Sequence, residues 1–358
     1  MYALVVGMSV ERLFLLSLAT IFAAAPLACS ANADDVATDD AELNAACAPV
    51  TCNPPAASTP TKTRSFGHFK SRFIAVTNRP HHRGRDEIYA VGEPQWIIGK
   101  FAYSITDKDL EDEDVDVYVD RGCGGAWEKL GTAKTGDDKG RVPVDGISHA
   151  GGRVFFQVPA DKTLGVGRHH VRLVVAGDAT STDLLIDVVP RGTKIVVSDV
   201  DGTLTSSEGA EFPALLEGDL PDARPASAEA LSTLDTKGYR VVYLTARPEW
   251  LTDRTRDFLS ARGFPLGIVR TTSGLTGATN DAAARFKIDE LRRLQSHGLS
   301  IAWAFGNKPS DTDAYDAAGI KPVDHRVFLG TSDPHGGRRI DDYGEIVPTL
   351  TAAARGCE

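Results

Sequence analysis

The chain has 358 residues, 42% of them hydrophobic and 25% charged, which is room for about two domains with cores of their own. Its formal net charge of −10 argues against a nucleic-acid partner, which calls for a basic face. An anionic substrate is not excluded, because a local basic pocket overrides the global sign.

Residues 1–29 read as an export signal. Glu11 and Arg12 precede an apolar run from Leu13 to Ala25 that is too short to cross a bilayer as a helix. The run closes on Ala25-Pro-Leu-Ala-Cys29, which resembles a bacterial lipoprotein cleavage site with Cys29 as the lipidated residue. Ala28 could equally end an ordinary signal peptide, and Met8 offers a second start. The expectation is a protein of the bacterial envelope or periplasm. Apart from Cys29, four cysteines remain: Cys47, Cys52, Cys123 and Cys357. Cys47 and Cys52 are close enough for a local disulfide, which leaves Cys123 and Cys357 as a second pair or all four as free thiols. No CxxC spacing suggests zinc, and the adjacent pairs His81-His82 and His169-His170 read as structural.

Residues 30–64 are rich in Ala, Asp, Thr and Pro without a period, and read as a flexible tether. Residues 65–190 have an all-β texture. Strands are expected over 95–103, 115–119, 153–158, 171–175 and 183–189, with Gly, Asp and Pro clusters between them. That spacing predicts an immunoglobulin-like β-sandwich. Its acidic run from Asp109 to Asp116 reads as a solvated loop or a calcium site.

Residues 191–358 alternate strands with helices. Strands are expected over 194–198, 239–245, 266–270, 300–305 and 327–329. Helices are expected over 226–237, from Pro248 to about Arg262, and over 281–297. The rhythm predicts a Rossmann-like, doubly wound, largely parallel sheet. The stretch Lys194-Ile-Val-Val-Ser-Asp-Val-Asp-Gly-Thr-Leu-Thr205 delivers Asp199 and Asp201 to the carboxyl edge of a buried strand, where Gly202 lets the chain turn. Two carboxylates so spaced can share one Mg²⁺. Thr245 ends the next strong strand, Lys287 lies on an amphipathic helix, and Asn307 and Asp311 follow a further strand. Each alone reads blandly, as a strand-end hydroxyl, a solvated charge or a helix cap. Their convergence on one sheet edge is the informative feature.

Asp199-Val-Asp-Gly-Thr, Tyr243-Leu-Thr-Ala-Arg, Phe286-Lys and Phe305-Gly-Asn-Lys-Pro-Ser-Asp-Thr-Asp-Ala-Tyr315 together resemble the haloacid-dehalogenase-like phosphatases, and among them the catalytic domain of lipin phosphatidate phosphatases. The segments from Trp96 to Phe101 and from Gly165 to Val175 are similar to the carboxyl-terminal region of membrane-associated phosphatidylinositol-transfer proteins. In those proteins the lipin-like module is thought to sense phosphatidic acid and the first aspartate is missing; here Asp199 is present. The resemblance implies a Mg²⁺-dependent phosphatidate phosphatase acting through an aspartyl-phosphate. Asp199 would be the nucleophile, Asp201 the acid and base, and Thr245 and Lys287 the catalytic stabilisers. Asp199, Asp201 and Asp311 would hold the metal, and Gly202, Thr203, Arg247 and Asn307 would contact substrate. The spacing leaves no room for a cap domain, so an open, capless site facing phosphatidic acid or a membrane surface is expected, with Trp250, Arg254, Arg256 and Arg270 as further rim candidates. The alternatives are a phosphatase for other phosphomonoesters and a non-catalytic phosphatidate-binding membrane module.

Overall fold

A computed structural model describes residues 52, 64–136, 142–149, 151–206 and 218–357. The expected export signal, Cys47 and most of the expected tether lie outside the described residues.

The first part is a β-sandwich preceded by one helix, α1 (Phe69–Thr77). Its strands are β1 (Arg83–Arg85), β2 (Glu87–Ala90), β3 (Trp96–Lys100), β4 (Ala102–Tyr103), β5 (Lys108–Asp109), β6 (Asp114–Asp120), β7 (Trp127–Lys134), β8 (Arg153–Gln157), β9 (Gly167–Val175) and β10 (Ser181–Val189). One antiparallel sheet has the order β1-β3-β8. The second has the order β2-β10-β9-β6-β7 and is antiparallel except where β2 runs alongside β10. Period-two patterning explains the core: Val115, Val117 and Val119 of β6 are fully buried among Phe101, Val171, Leu173 and Ile186. The single strand expected over 95–103 is broken at Phe101. Its N–H donates to the Gly152 carbonyl and its own carbonyl accepts from Leu110 N–H, so the chain changes sheets there.

The second part is a six-stranded parallel sheet. Its strands are β11 (Lys194–Ser198), β12 (Arg240–Pro248), β13 (Ile268–Thr272), β14 (Ser300–Gly306), β15 (Arg326–Leu329) and β16 (Arg338–Ile340), in the order β13-β12-β11-β14-β15-β16. The helices are α2 (Ser227–Asp235), α3 (Thr252–Ala261), α4 (Asn280–Ser296), α5 (Pro309–Ala317) and α6 (Val347–Ala352). Successive β11 residues point to opposite faces. Val196 packs with α2, α3 and α6, whereas Ile195 and Val197 pack with α4 and α5. The sheet is thus covered by helices on both faces, as its near-continuous apolar strands require.

Several expectations are corrected. The stretch after residue 65 is not all-β, because α1 opens it. Of the two residues expected after the strand over 300–305, Asn307 lies between β14 and α5 and Asp311 already in the first turn of α5, which Pro309 opens. Cys52 bonds to Cys123 with a Cα–Cα distance of 5.1 Å, not to Cys47, and Cys357 is also disulfide-bonded. The acidic run is a solvated loop only in part: Glu111 and Asp112 are exposed, whereas Glu113 accepts from the Gly67 and His68 N–H groups, Lys100 holds Asp109, and Asp116 meets Arg64, Lys129 and Thr132.

The two parts share a buried boundary. Ile88, Leu185 and Val189 of the sandwich pack in the same cluster as Val197, Val242 and Leu291. Beside that cluster lies an ionic lattice. Arg85 bonds to Glu87 at 3.0 Å and to Glu290 at 2.8 Å, while the fully buried Arg270 contacts Glu87, Glu290 and the Asp86 carbonyl. Arg256 reaches Asp86, and both Arg83 and Arg153 reach Glu249. Arg256 and Arg270 therefore tie the sandwich to the parallel sheet and form no lipid rim. Trp250 donates to the Leu275 carbonyl and lies against His81, with ring centroids 6.1 Å apart.

Candidate active site

The carboxyl edge of the parallel sheet assembles two linked clusters. Asp199 follows β11 directly and its N–H donates to the Phe305 carbonyl of β14. One carboxylate oxygen accepts from Lys287 Nζ at 2.7 Å and the other from Thr203 Oγ1 at 3.0 Å. Lys287 comes from α4, whose apolar stripe of Leu291 and Leu294 packs on the sheet and so directs the ammonium at this edge. Its Nζ also donates to Asp311 Oδ1 at 2.5 Å. Asp311, in the first turn of α5, accepts from the Asn307 and Lys308 N–H groups, both at 3.0 Å, which fixes the strand-to-helix loop. Thr203 Oγ1 lies 2.9 Å from Asn307 Oδ1, and the Asn307 carbonyl accepts from Thr331.

Asp199, Lys287 and Asp311 are all buried. Burial pushes the Asp199 carboxyl up to about 6, against the pull of Lys287 and with a further push from Asp311 and Asp201. Burial acts to lower the Lys287 pKa, but attraction to Asp199 and Asp311 outweighs it and holds the ammonium above its usual range. Gly306 makes the approach possible: a Cβ there would stand 2.4 Å from Asp311 Cβ.

The second cluster is built on Asp201. Its carboxylate accepts from Thr245 Oγ1 at 3.0 Å and from Arg247 through both Nε and the terminal nitrogen, the latter at 2.8 Å. Arg247 is buried and its other terminal nitrogen donates to Thr255 of α3 at 2.9 Å. The bidentate grip orients Asp201 strongly. Arg247 was expected to meet substrate; it grips Asp201 because the Leu-Thr-Ala-Arg strand turns both Thr245 and Arg247 toward that carboxylate. Gly202 adopts φ +78°, and its N–H donates to Thr205 Oγ1 while its carbonyl accepts from Arg224. Thr255, Arg224 and Thr331 were not singled out from sequence. The helix expected to open at Pro248 begins only at Thr252, because β12 runs on to Pro248, so no local spacing tied Thr255 to Arg247. The Asp201 carbonyl has no hydrogen bond among the described residues.

Residues 196–329 match the family model described as the LNS2 domain of PITM 1-3, and residues 80–188 match the PITM 1-3 beta-sandwich domain. The chain is 31% identical over 274 residues to membrane-associated phosphatidylinositol transfer protein 1 of Rattus norvegicus, covering 76% of this chain and 20% of that protein. Membrane-associated phosphatidylinositol transfer protein 3 of Homo sapiens is 29% identical over 279 residues, which is 77% of this chain and 26% of that one. Protein retinal degeneration B of Drosophila melanogaster is 30% identical over 243 residues, covering 67% and 18%. The chain thus spans about a fifth to a quarter of the length of these relatives. The relatives are animal proteins, which overturns the expectation of an exported bacterial-envelope protein anchored at Cys29. Among the described residues no helix is long and apolar enough to cross a membrane. On these matches the chain carries an LNS2-type, lipin-like domain preceded by a β-sandwich of the kind found in PITM 1-3 proteins.

Proposed function

We propose that residues 191–358 form a capless, haloacid-dehalogenase-like phosphatase domain, with 65–190 as its sandwich partner, and that it removes phosphate from phosphatidic acid to give diacylglycerol. The observation that carries this reading is the buried contact of Asp199 with Lys287, an available carboxylate nucleophile beside a fixed cation. The LNS2 match and the membrane-associated, phosphatidylinositol-transferring relatives support the lipid class.

An Asp199 oxygen attacks phosphorus in line and the ester P–O bond breaks, with Asp201 delivering a proton to the departing alkoxide. Asp201 then takes a proton from water as that water displaces Asp199 from phosphorus. Lys287 neutralises phosphoryl oxygens, and Thr245 and Arg247 keep Asp201 aimed. Thr203 and Asn307 shape the pocket beside Asp199, with the Gly202 turn giving the phosphoryl group access. Among the described residues no three His, Cys, Asp or Glu side chains are grouped for a metal. The oxygens nonetheless suit a hard cation, because Asp199 and Asp311 converge on one ammonium and the Asp201 carbonyl accepts no hydrogen bond among the described residues. Mg²⁺ held by these three would supply charge neutralisation of the phosphoryl oxygens.

The test is phosphate release from phosphatidic acid in mixed micelles, with Mg²⁺ or with EDTA, for wild type and Asp199→Asn. Metal-dependent release lost in the variant supports the reading, and release from soluble phosphomonoesters alone keeps the chemistry and removes the lipid. A second reading has its own observation. Thr245 and Arg247 engage both oxygens of Asp201 in a fixed grip, which suits a phosphatidate-binding module without turnover. Binding to phosphatidic-acid vesicles with no release from wild type would establish it.

A further inference from the structure

Five of the large apolar side chains most exposed among the described residues lie along one route leading to the candidate site. On α1, Phe69 is 81% exposed, Phe73 61% and Val76 79%. Their spacing of i, i+4, i+7 places them on one helix face. Ile105, 92% exposed, sits in the turn whose Ser104 N–H donates to the Arg79 carbonyl just beyond α1. Leu275, 52% exposed, lies in the loop that bonds to Trp250 through its carbonyl and to the Ala246 carbonyl through Ala278 N–H. Ala246 separates Thr245 from Arg247.

This exposure is not that of a loose helix. Ser71 is buried, and Ile74 and Ala75 pack against the sandwich core, so the other face of α1 is docked. The buried Glu113 carboxylate accepts from two N–H groups at the helix start. At the far end Thr77 and Asn78 donate to the Phe73 and Ile74 carbonyls. The phenylalanines are therefore held outward at a cost in exposed apolar area. Direction follows from the lattice at the domain boundary. Going backwards along the chain, Arg85 contacts the Thr271 carbonyl, Arg83 contacts Glu249, and His81 lies against Trp250. That path runs toward the carboxyl edge of the parallel sheet, so α1 lies on the side of the candidate site. Exposed cations flank the outward apolar face: Lys70, paired with Glu111, and Arg72 on α1, and Arg79 just beyond its end, of which Arg72 and Arg79 make no ion pair among the described residues.

We propose that α1, the turn at Ile105 and the loop at Leu275 form one docking surface for an anionic bilayer, seated so that Asp199 faces the lipid headgroups. An apolar stripe flanked by arginines matches an interface of acyl chains and negative headgroups, and continuity with the Asp199 edge supplies its use. This inference rests on the lipid reading above, and its test separates the two.

The wild-type chain is compared with Phe69→Ser/Phe73→Ser and with Arg72→Glu/Arg79→Glu by vesicle co-sedimentation. The vesicles are phosphatidylcholine alone or with ~20 mol% phosphatidylserine, which supplies charge without a phosphomonoester. Wild type is expected to bind the anionic vesicles, with each double variant weaker by about tenfold or more. Added salt should weaken wild type more than Arg72→Glu/Arg79→Glu. Thermal unfolding and turnover of a soluble phosphomonoester should not change in either variant. Loss of vesicle binding in the double variants, with no phosphate release from phosphatidic acid by any of the three proteins, overturns the phosphatase and keeps the docking surface. No vesicle binding by wild type, or equal binding by all three, overturns the docking surface. A wild-type dimer dissociated by Phe69→Ser/Phe73→Ser does so as well, because the face is then covered by a second copy.

Discussion

Glu290→Gln is the sharpest test of the coupling between sandwich and sheet. Glu290 lies one helical turn beyond Lys287 on α4 and receives Arg85 at 2.8 Å, Arg270 at 3.0 Å and Arg293. Its side chain is 4% exposed and Arg270 is fully buried. Burial alone would raise the Glu290 carboxyl, but the three arginines hold it down at about 2 from an ordinary 4.5. A displacement of that size corresponds to about 3 kcal/mol. Removing one partner of a buried ionic group costs about 3–5 kcal/mol, so the two routes agree. Glu87 shares Arg85 and Arg270 but is pushed upward by burial, which makes it the weaker partner to remove. Urea unfolding followed by fluorescence should show Glu290→Gln lowering the midpoint by about 1 M or more. Arg85→Met/Glu290→Met should be less damaging than the sum of the two single changes, because no uncompensated charge is left from that pair. A loss below about 1 kcal/mol in Glu290→Gln would refute the reasoning.

Two other outcomes follow from single groups. Gly306→Ala would press a Cβ against Asp311 and displace α5 from Lys287; about a hundredfold loss of phosphate release is expected, with far-UV circular dichroism retained. His82 is pushed down to about 4, mainly by burial, with Ala102 N–H donating to its Nδ1 and its Nε2 facing Thr180. Its folded pKa lies below the unfolded one, so its contribution is intact above pH 6.5 and is lost between about 6.5 and 4 as the unfolded chain takes a proton. The loss is at most about 3 kcal/mol, and the difference between wild type and His82→Gln across that window measures it.

Much of the second part was legible because its strands are continuous apolar runs ending in chemistry. Lys194–Ser198 and Arg240–Thr245 announce themselves by composition, and the residues after each must lie at the same edge of a parallel sheet. What failed was partner choice. Nothing local in Arg247 says that its fork closes on Asp201, and Arg270 looked like a rim cation because its acids lie elsewhere, Glu87 far away in sequence and Glu290 on α4. The first helix escaped notice for a different reason. Its apolar residues divide between an inward face at Ile74 and Ala75 and an outward one at Phe69 and Phe73, which blurs the single stripe expected of a surface helix. The cysteine pairing was likewise beyond reach, since proximity in sequence favoured Cys47 over Cys123.

That pairing has a topological consequence. The bond between Cys52 and Cys123 closes a covalent ring with a sequence separation of 71 residues, and α1 with strands β1 to β6 all lie on it. A protease that cuts once between residues 53 and 63 therefore opens a ring and does not sever an arm. The two fragments remain joined until a reductant is added, so the same digest gives one band on a non-reducing gel and two on a reducing one.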